Sequence, residues 1–184
     1  KNQPYLLADS RQTEIFDNRY ATLAKGRTRI GVSWRSNAEH AGIARSLDHK
    51  TLAELLMYED LWWLNLQYGD VHGDLTELKK ERVPVPYVDP LVDPLGSMDD
   101  LAAQIKCLDL VISVANTTVH LAGALGTQTY ALLPHVADWR WQKDGEECHW
   151  YPDVTLLRQT RPGDLSSVIE RLMEKLNKHC RESP

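Results

Sequence analysis

Residues 108–126 read Leu-Asp-Leu-Val-Ile-Ser-Val-Ala-Asn-Thr-Thr-Val-His-Leu-Ala-Gly-Ala-Leu-Gly. The first seven, Leu108 to Val114, form a nearly continuous apolar run of strand length, the pattern of a strand buried on both faces of a parallel sheet. The character then changes at once. Asn116-Thr-Thr118 opens a helix of small residues, Val119 to Leu125, and Gly126 ends it. Thr129 to Leu133 reads as the next strand, and Pro134 stops it. Strand, short helix and strand in so little chain predict a right-handed βαβ unit.

The same alternation extends outward. Upstream, Ser97-Met-Asp-Asp100 is a helix-start signal, with two acids suited to the positive helix end and Leu101, Ala102 and Ile105 as the inner face. Leu61 to Gln67 reads as a buried strand closed by Tyr68-Gly-Asp70. Leu52, Leu55 and Leu56 mark a helix behind Asp48 as its cap. Ile30 to Trp34 reads as a strand running into a polar loop, Arg35 to Asp48. Val83 to Pro94 is proline-rich and reads as irregular or as a short edge strand. Downstream, Val154 to Arg158 gives a strand. Leu165, Val168, Ile169, Leu172, Met173 and Leu176 follow helical spacing after Asp164 as cap. Residues 1–28 read as a polar linker with a short helix near Thr13–Leu23. The expected architecture is therefore a single α/β domain over residues 29–184, a doubly wound, Rossmann-like parallel sheet.

Composition narrows the function. A chain of 184 residues with 42% hydrophobic and 26% charged residues is ordinary for one globular domain, which excludes disorder and collagen-like repeats. No apolar run approaches the ~18–20 residues of a membrane span. Lys1 is followed by polar residues with no secretory leader, and a start without Met suggests a trimmed piece. A net charge of −5 argues against a nucleic-acid partner. Three widely spaced cysteines without a C-x-x-C motif point to a reduced, cytoplasmic setting, and no His or Cys spacing matches a metal site. There is no G-x-G-x-x-G, no phosphate loop with its lysine and no G-x-S-x-G elbow, which disfavours dinucleotide enzymes, nucleotide hydrolases and α/β-hydrolases. No resident cofactor and no metal are expected. The excess of six Trp over one Phe suggests stacking surfaces.

In an open α/β sheet, ligands bind beyond the carboxyl ends of the strands, so the loops after Trp34, Gln67, Val114 and Leu133 carry the chemistry. Asn116, Thr117 and Thr118 at a helix start combine free amides, hydroxyls and the helix dipole, an anion cradle. The plainer reading is that Thr117 or Thr118 merely caps the helix. Trp34, Arg35, Ser36 and Asn37 lead toward Arg45. Two guanidinium groups there suit a diphosphate, or else sit in a solvated loop. His120 lies one turn into the cradle helix. Trp139 and Trp141 flank Arg140 and could wall a sugar or base, or form a packed corner. Trp34, Trp139, Trp141 and Trp150 are together expected on the binding edge, with at least one of Trp62 and Trp63 in the core.

The 108–126 run resembles the signature of GT-B glycosyltransferases, in particular bacterial tetratricopeptide-linked proteins related to O-GlcNAc transferase and the heptosyltransferases. Ile30-Gly-Val-Ser-Trp-Arg-Ser36 with Arg45-Ser-Leu47, Leu64-Asn-Leu-Gln-Tyr-Gly69, and Asp138-Trp-Arg-Trp141 with Trp150-Tyr-Pro152 and Leu157-Arg-Gln159 resemble them in the same order. The resemblance covers about residues 28–176. It implies the C-terminal, nucleotide-sugar-binding half of a two-domain enzyme, with UDP-sugars favoured. In that picture Asn116–Thr118 hold the diphosphate, Arg45 contacts phosphate, and Gln67, Tyr68, Ser97 and Met98 line the base and ribose. The leaving diphosphate would be stabilised by Arg35, Arg45 and the helix end without a metal. The implied partners are the nucleotide sugar and a separate N-terminal Rossmann or helical-repeat domain carrying the acceptor site. The alternatives are a non-catalytic Rossmann-like binding module and an epimerase-like domain of GT-B architecture.

Overall fold

The computed structural model describes residues 3–36 and 42–182. Five strands, β1 (Thr28–Ser33), β2 (Leu61–Asn65), β3 (Leu110–Val114), β4 (Thr129–Leu133) and β5 (Val154–Arg158), pair in the order β2-β1-β3-β4-β5, all parallel. All five carboxyl ends therefore open on one edge. Three strands are buried along their whole length, as their apolar sequences require: β2, β3 and β4. This is the Rossmann-like α/β domain that the alternation predicts.

Strand alternation sorts the core into two sides. Ile30, Val32, Trp63, Leu110, Ile112, Leu132 and Leu157 face α3 (His49–Leu56), α4 (His72–Lys80) and α7 (Leu165–Glu182), packing on Leu52, Leu56, Leu78 and Leu172. Trp62, Leu64 and Val111 face the other way, onto α1 (Ser10–Ala24), α5 (Met98–Lys106) and α6 (Thr117–Leu125). A third cluster joins β4 and β5 to α6 through Val119, Trp141 and Tyr151.

Most caps are those the sequence names. Asp48 accepts from the Thr51 amide at 2.8 Å, and Ser97 from the Asp100 amide at 3.1 Å. Asp164 accepts from the Ser167 amide at 3.2 Å, and its bonds to Thr160, Ser166 and Ser167 pull its carboxyl down to about 2. Gly126 closes α6 in the left-handed region at φ 70°.

Three features differ from the reading above. The helix expected near Thr13–Leu23 is present as α1, but it starts at Ser10 behind Asp9 and packs into the core, because Phe16, Tyr20 and Ala24 form one stripe against α5. It is pinned by Asp89, which accepts from Arg19 at 2.8 Å and from the Tyr20 hydroxyl at 2.9 Å. Helix α4 is absent from the sequence reading, since Leu78 is its one fully buried residue and it lacks a side-chain cap. The polar loop after β1 contains a short helix, α2 (Gly42–Arg45). The proline-rich stretch meets β2 at a single bridge, where the Tyr87 amide donates to the Trp63 carbonyl at 2.7 Å.

Candidate functional site

Two amide side chains organise the carboxyl edge. Gln67 extends beyond β2, and its Oε1 accepts from the amides of Trp34 at 3.0 Å and Arg35 at 2.7 Å and from the Ser33 hydroxyl at 3.2 Å. Its Nε2 donates to the Tyr68 carbonyl. Asn116 follows β3, and its Nδ2 donates to Ser33 Oγ at 2.8 Å and to the Arg35 carbonyl at 3.0 Å. Its Oδ1 accepts from Ser113 Oγ at 3.1 Å and the Thr118 amide at 2.9 Å. One chain of bonds, Asn116 to Ser33 to Gln67, thus fastens the ends of β3, β1 and β2. Buried polar groups that satisfy each other in this way hold a loop in one conformation.

The cap of α6 is therefore Asn116, and neither threonine serves that role. Thr117 is left exposed at the first turn. Thr118 is 1% exposed, and its Oγ1 is buried without a hydrogen-bond partner among the described residues. A buried hydroxyl without a partner is costly unless something else supplies one. The amides of Thr117 and Val119 likewise have no side-chain acceptor among the described residues, so the helix start presents donors and the positive dipole end.

Of the two arginines, only the Arg35 backbone touches this start, through its carbonyl on Asn116. Arg35 points toward α4, with Nε 3.3 Å from Asp74 and Nη2 donating to the Asp70 carbonyl. Arg45 ends α2, and its positive charge helps hold the Asp138 carboxyl below the usual carboxylate range, after the nearer effect of Arg140. The Ser36 amide donates to Ser46 Oγ, which ties the loop back on itself. Asn37 lies outside the described residues.

The tryptophans divide differently from the sequence reading. Trp34 and Trp141 are 1% and 2% exposed, so neither is a pocket wall. Trp34 packs in the core while its indole N–H donates to Asp74 at 2.9 Å, the partner a buried indole needs. Trp141 packs beneath β4 and stacks on His120 with centroids 4.8 Å apart. Trp62 and Trp63 are both buried. The two exposed indoles are Trp139 and Trp150, which meet edge to face at 6.2 Å. Arg140 lies over Trp139 at 4.9 Å, the cation–π contact expected of that corner. A short 3-10 turn over Trp139–Trp141 separates the two indoles of this segment.

His120 shares a hydrogen bond of 3.0 Å with the Tyr151 hydroxyl. Burial, with a smaller contribution from Arg140, pushes its pKa below the usual histidine value. The unfolded chain then binds the proton more readily, so stability falls as pH drops below about 6.5, and this loss levels off below the folded pKa. A proton titration by NMR should give His120 a pKa under 6.5. His120→Gln should flatten the acid side of the stability profile by that same contribution. Tyr151, quoted above only within Trp150-Tyr-Pro152, is the hydrogen-bond partner of His120. Ser97 and Met98 stand apart: Ser97 caps α5, Met98 is half exposed, and no hydrogen bond joins either to the other residues of the edge among those described.

No family profile matches the chain. Protein FlbA of Caulobacter vibrioides is 32% identical over 128 residues, which is 68% of this chain and 21% of FlbA. Among solved structures, the ADP-heptose lipopolysaccharide heptosyltransferase II of E. coli superposes with a TM-score of 0.65 at 18% identity, over 95% of this chain and 53% of that one. The glycosyl transferase family 9 protein from Veillonella parvula DSM 2008 gives 0.63 at 13% identity, over 93% and 46%. E. coli heptosyltransferase WaaC with ADP-2-deoxy-2-fluoro heptose gives 0.54 at 13%, over 82% and 44%. The chain thus spans about a fifth of FlbA and about half of each of these transferases. At these identities the structural likeness establishes the fold, an α/β domain like that of family 9 glycosyltransferases.

Proposed function

We propose that this domain binds a nucleoside-diphosphate sugar and forms the C-terminal half of a GT-B glycosyltransferase. The observation that carries this reading is the start of α6, where a buried threonine hydroxyl and its neighbouring amides find no side-chain partner among the described residues. A diphosphate oxygen is the acceptor such a cluster lacks. Arg45 is a second source of positive charge, and Gln67 and Asn116 keep the surrounding loops preorganised. Departure of the diphosphate in glycosyl transfer builds negative charge at this point, so the same groups stabilise the transition state more than the ground state, without a metal.

Solved relatives in fold are named for ADP-heptose, whereas the sequence resemblance favours a UDP-sugar. We therefore take the diphosphate and pyranose as the recognised chemistry and favour UDP as its carrier. The acceptor and any general base belong, in this reading, to an N-terminal domain, joined to a helical-repeat array as in the tetratricopeptide-linked relatives. Two free, buried cysteines, Cys107 and Cys148, suit a reduced cytoplasmic setting. The domain alone is expected to bind donor and to transfer little.

Calorimetric titration of UDP and ADP tests this directly. Saturable binding of one of them is expected, and no heat at millimolar concentration would reject the donor site. Arg45→Ala, and separately Thr117→Ala with Thr118→Ala, should each weaken binding about tenfold or more, about 1.4 kcal/mol, with an unchanged circular dichroism spectrum. Unchanged affinity in both variants would move the diphosphate elsewhere.

A further inference from the structure

His120, Trp139, Arg140, Trp150 and Tyr151 line a cavity of about 190 Å³ beside the start of α6. Its walls are unusual for a soluble surface. Trp139 is 72% exposed and Trp150 52% exposed, although each is large and apolar. Exposed indoles held in a fixed relation mark a binding surface more often than chance exposure. Trp150 is held by its own N–H, which donates to the Arg140 carbonyl at 2.8 Å. Arg140 is held by Asp138 at 2.6 Å while it lies over Trp139. The corner is thus built before any ligand arrives.

Shape and chemistry together select the occupant. The cavity is smaller than the ~300 Å³ at which pockets for drug-sized ligands begin, so it takes one ring rather than a whole nucleotide. The indole planes stand 81° apart. A flat base could stack on one of them but not on both. A pyranose chair is thick, with C–H bonds on its faces and rim, and polarised C–H groups are drawn to the negative faces of aromatic rings. Its hydroxyls need polar partners around the rim, which Arg140 and His120 supply. We infer that the Trp139–Trp150 corner is a pyranose-binding subsite.

This inference rests in part on the donor reading, because it deepens the same edge. His120 is three residues beyond Thr117, about 4.5 Å along the helix axis, so a ring in the corner lies next to a phosphate at the helix start. The ring could be the sugar of the nucleotide donor or a unit of a separate glycan, and the chemistry of recognition is shared.

The test is an NMR titration of the 184-residue chain that follows the indole N–H signals of Trp139 and Trp150 and the amides of Thr117 and Thr118. Methyl β-D-glucopyranoside and N-acetylglucosamine should shift both indoles saturably at millimolar concentration. Trp139→Ala and Trp150→Ala should each weaken that response at least tenfold, while Trp150→Phe, which keeps a ring but loses the bond to Arg140, should weaken it less. If the ring comes from the donor, UDP-glucose or ADP-glucose binds several-fold tighter than UDP or ADP in the wild type but not in Trp150→Ala. If it belongs to a separate glycan, saturating UDP leaves the response to free pyranosides intact and this increment is absent. Silent indoles with every pyranose probe overturn the inference, as does an equal response to uridine or adenosine alone. Shifts of Thr117 and Thr118 with UDP or ADP report the diphosphate site independently, so the two readings fail separately.

Discussion

Asn116→Ala should destabilise the domain by about 2–4 kcal/mol. Two effects add. Loss of the side-chain cap on the Thr118 amide costs roughly 0.5–2 kcal/mol. The Ser33 hydroxyl and the Arg35 carbonyl also lose a donor, and stranding buried polar groups costs about 1–3 kcal/mol. Urea denaturation should show a lower midpoint with an unchanged slope. Asn116→Asp separates the two effects, since a carboxylate keeps the cap and loses the donors, and it should recover only the first. It should also repel a phosphate at the same helix start, so its diphosphate affinity should fall further than its stability. An unfolding free energy within about 0.5 kcal/mol of wild type for Asn116→Ala would show that the belt across β3, β1 and β2 holds by packing alone.

The second large effect concerns a glycine that sequence alone gives no reason to prize. A β-carbon on Gly123 would lie 2.5 Å from Cγ and 2.8 Å from Cβ of Tyr151. These atoms sit near the backbone of a buried residue and cannot swing aside. In a helix, replacing glycine by alanine ordinarily gains up to about 1 kcal/mol, whereas overpacking of this kind costs about 1–3 kcal/mol. Gly123→Ala is therefore expected to be destabilising on balance, and to separate Tyr151 from His120. The cycle is decisive: in a Tyr151→Ala background the same change should become neutral or stabilising. A Gly123→Ala protein more stable than wild type would mean that α6 moves away from Tyr151 without penalty.

The frame of the domain is legible in its sequence because strands that are buried on both faces leave nearly continuous apolar runs, as in Leu110–Val114 and Thr129–Leu133, and because Asp48, Ser97 and Gly126 mark helix ends by their own chemistry. Helix α4 escapes because one buried leucine makes no visible stripe. At the site, Asn116, Gln67 and Thr118 stand out as polar residues just past apolar strands. Their division of labour does not, since only distances reveal that Asn116 caps the helix and frees the threonines. Exposure is the least legible property of all. Trp139 and Trp141 are two residues apart in one loop, yet a single tight turn leaves one in solvent and the other under His120. Asp74 gave no signal because its role depends on a helix the sequence conceals.

The strand order carries a kinetic consequence. Strands β3, β4 and β5 are consecutive and adjacent, and β1 and β2 pair across residues 34–60, so each group can assemble within its own stretch of chain. The seam between them joins Ile30 to Leu110 and Ser33 to Ser113, contacts far apart in sequence whose loop must close before they are rewarded. Refolding should therefore be limited by the meeting of the two halves, so a seam mutation such as Val32→Ala should slow refolding in stopped-flow measurements as well as speed unfolding. The bonds from Asn116 to Ser33 and Arg35 cross that same seam. The proposed anion cradle is then among the last parts of the molecule to form, and on that proposal a nucleotide would recognise only chains that have finished folding.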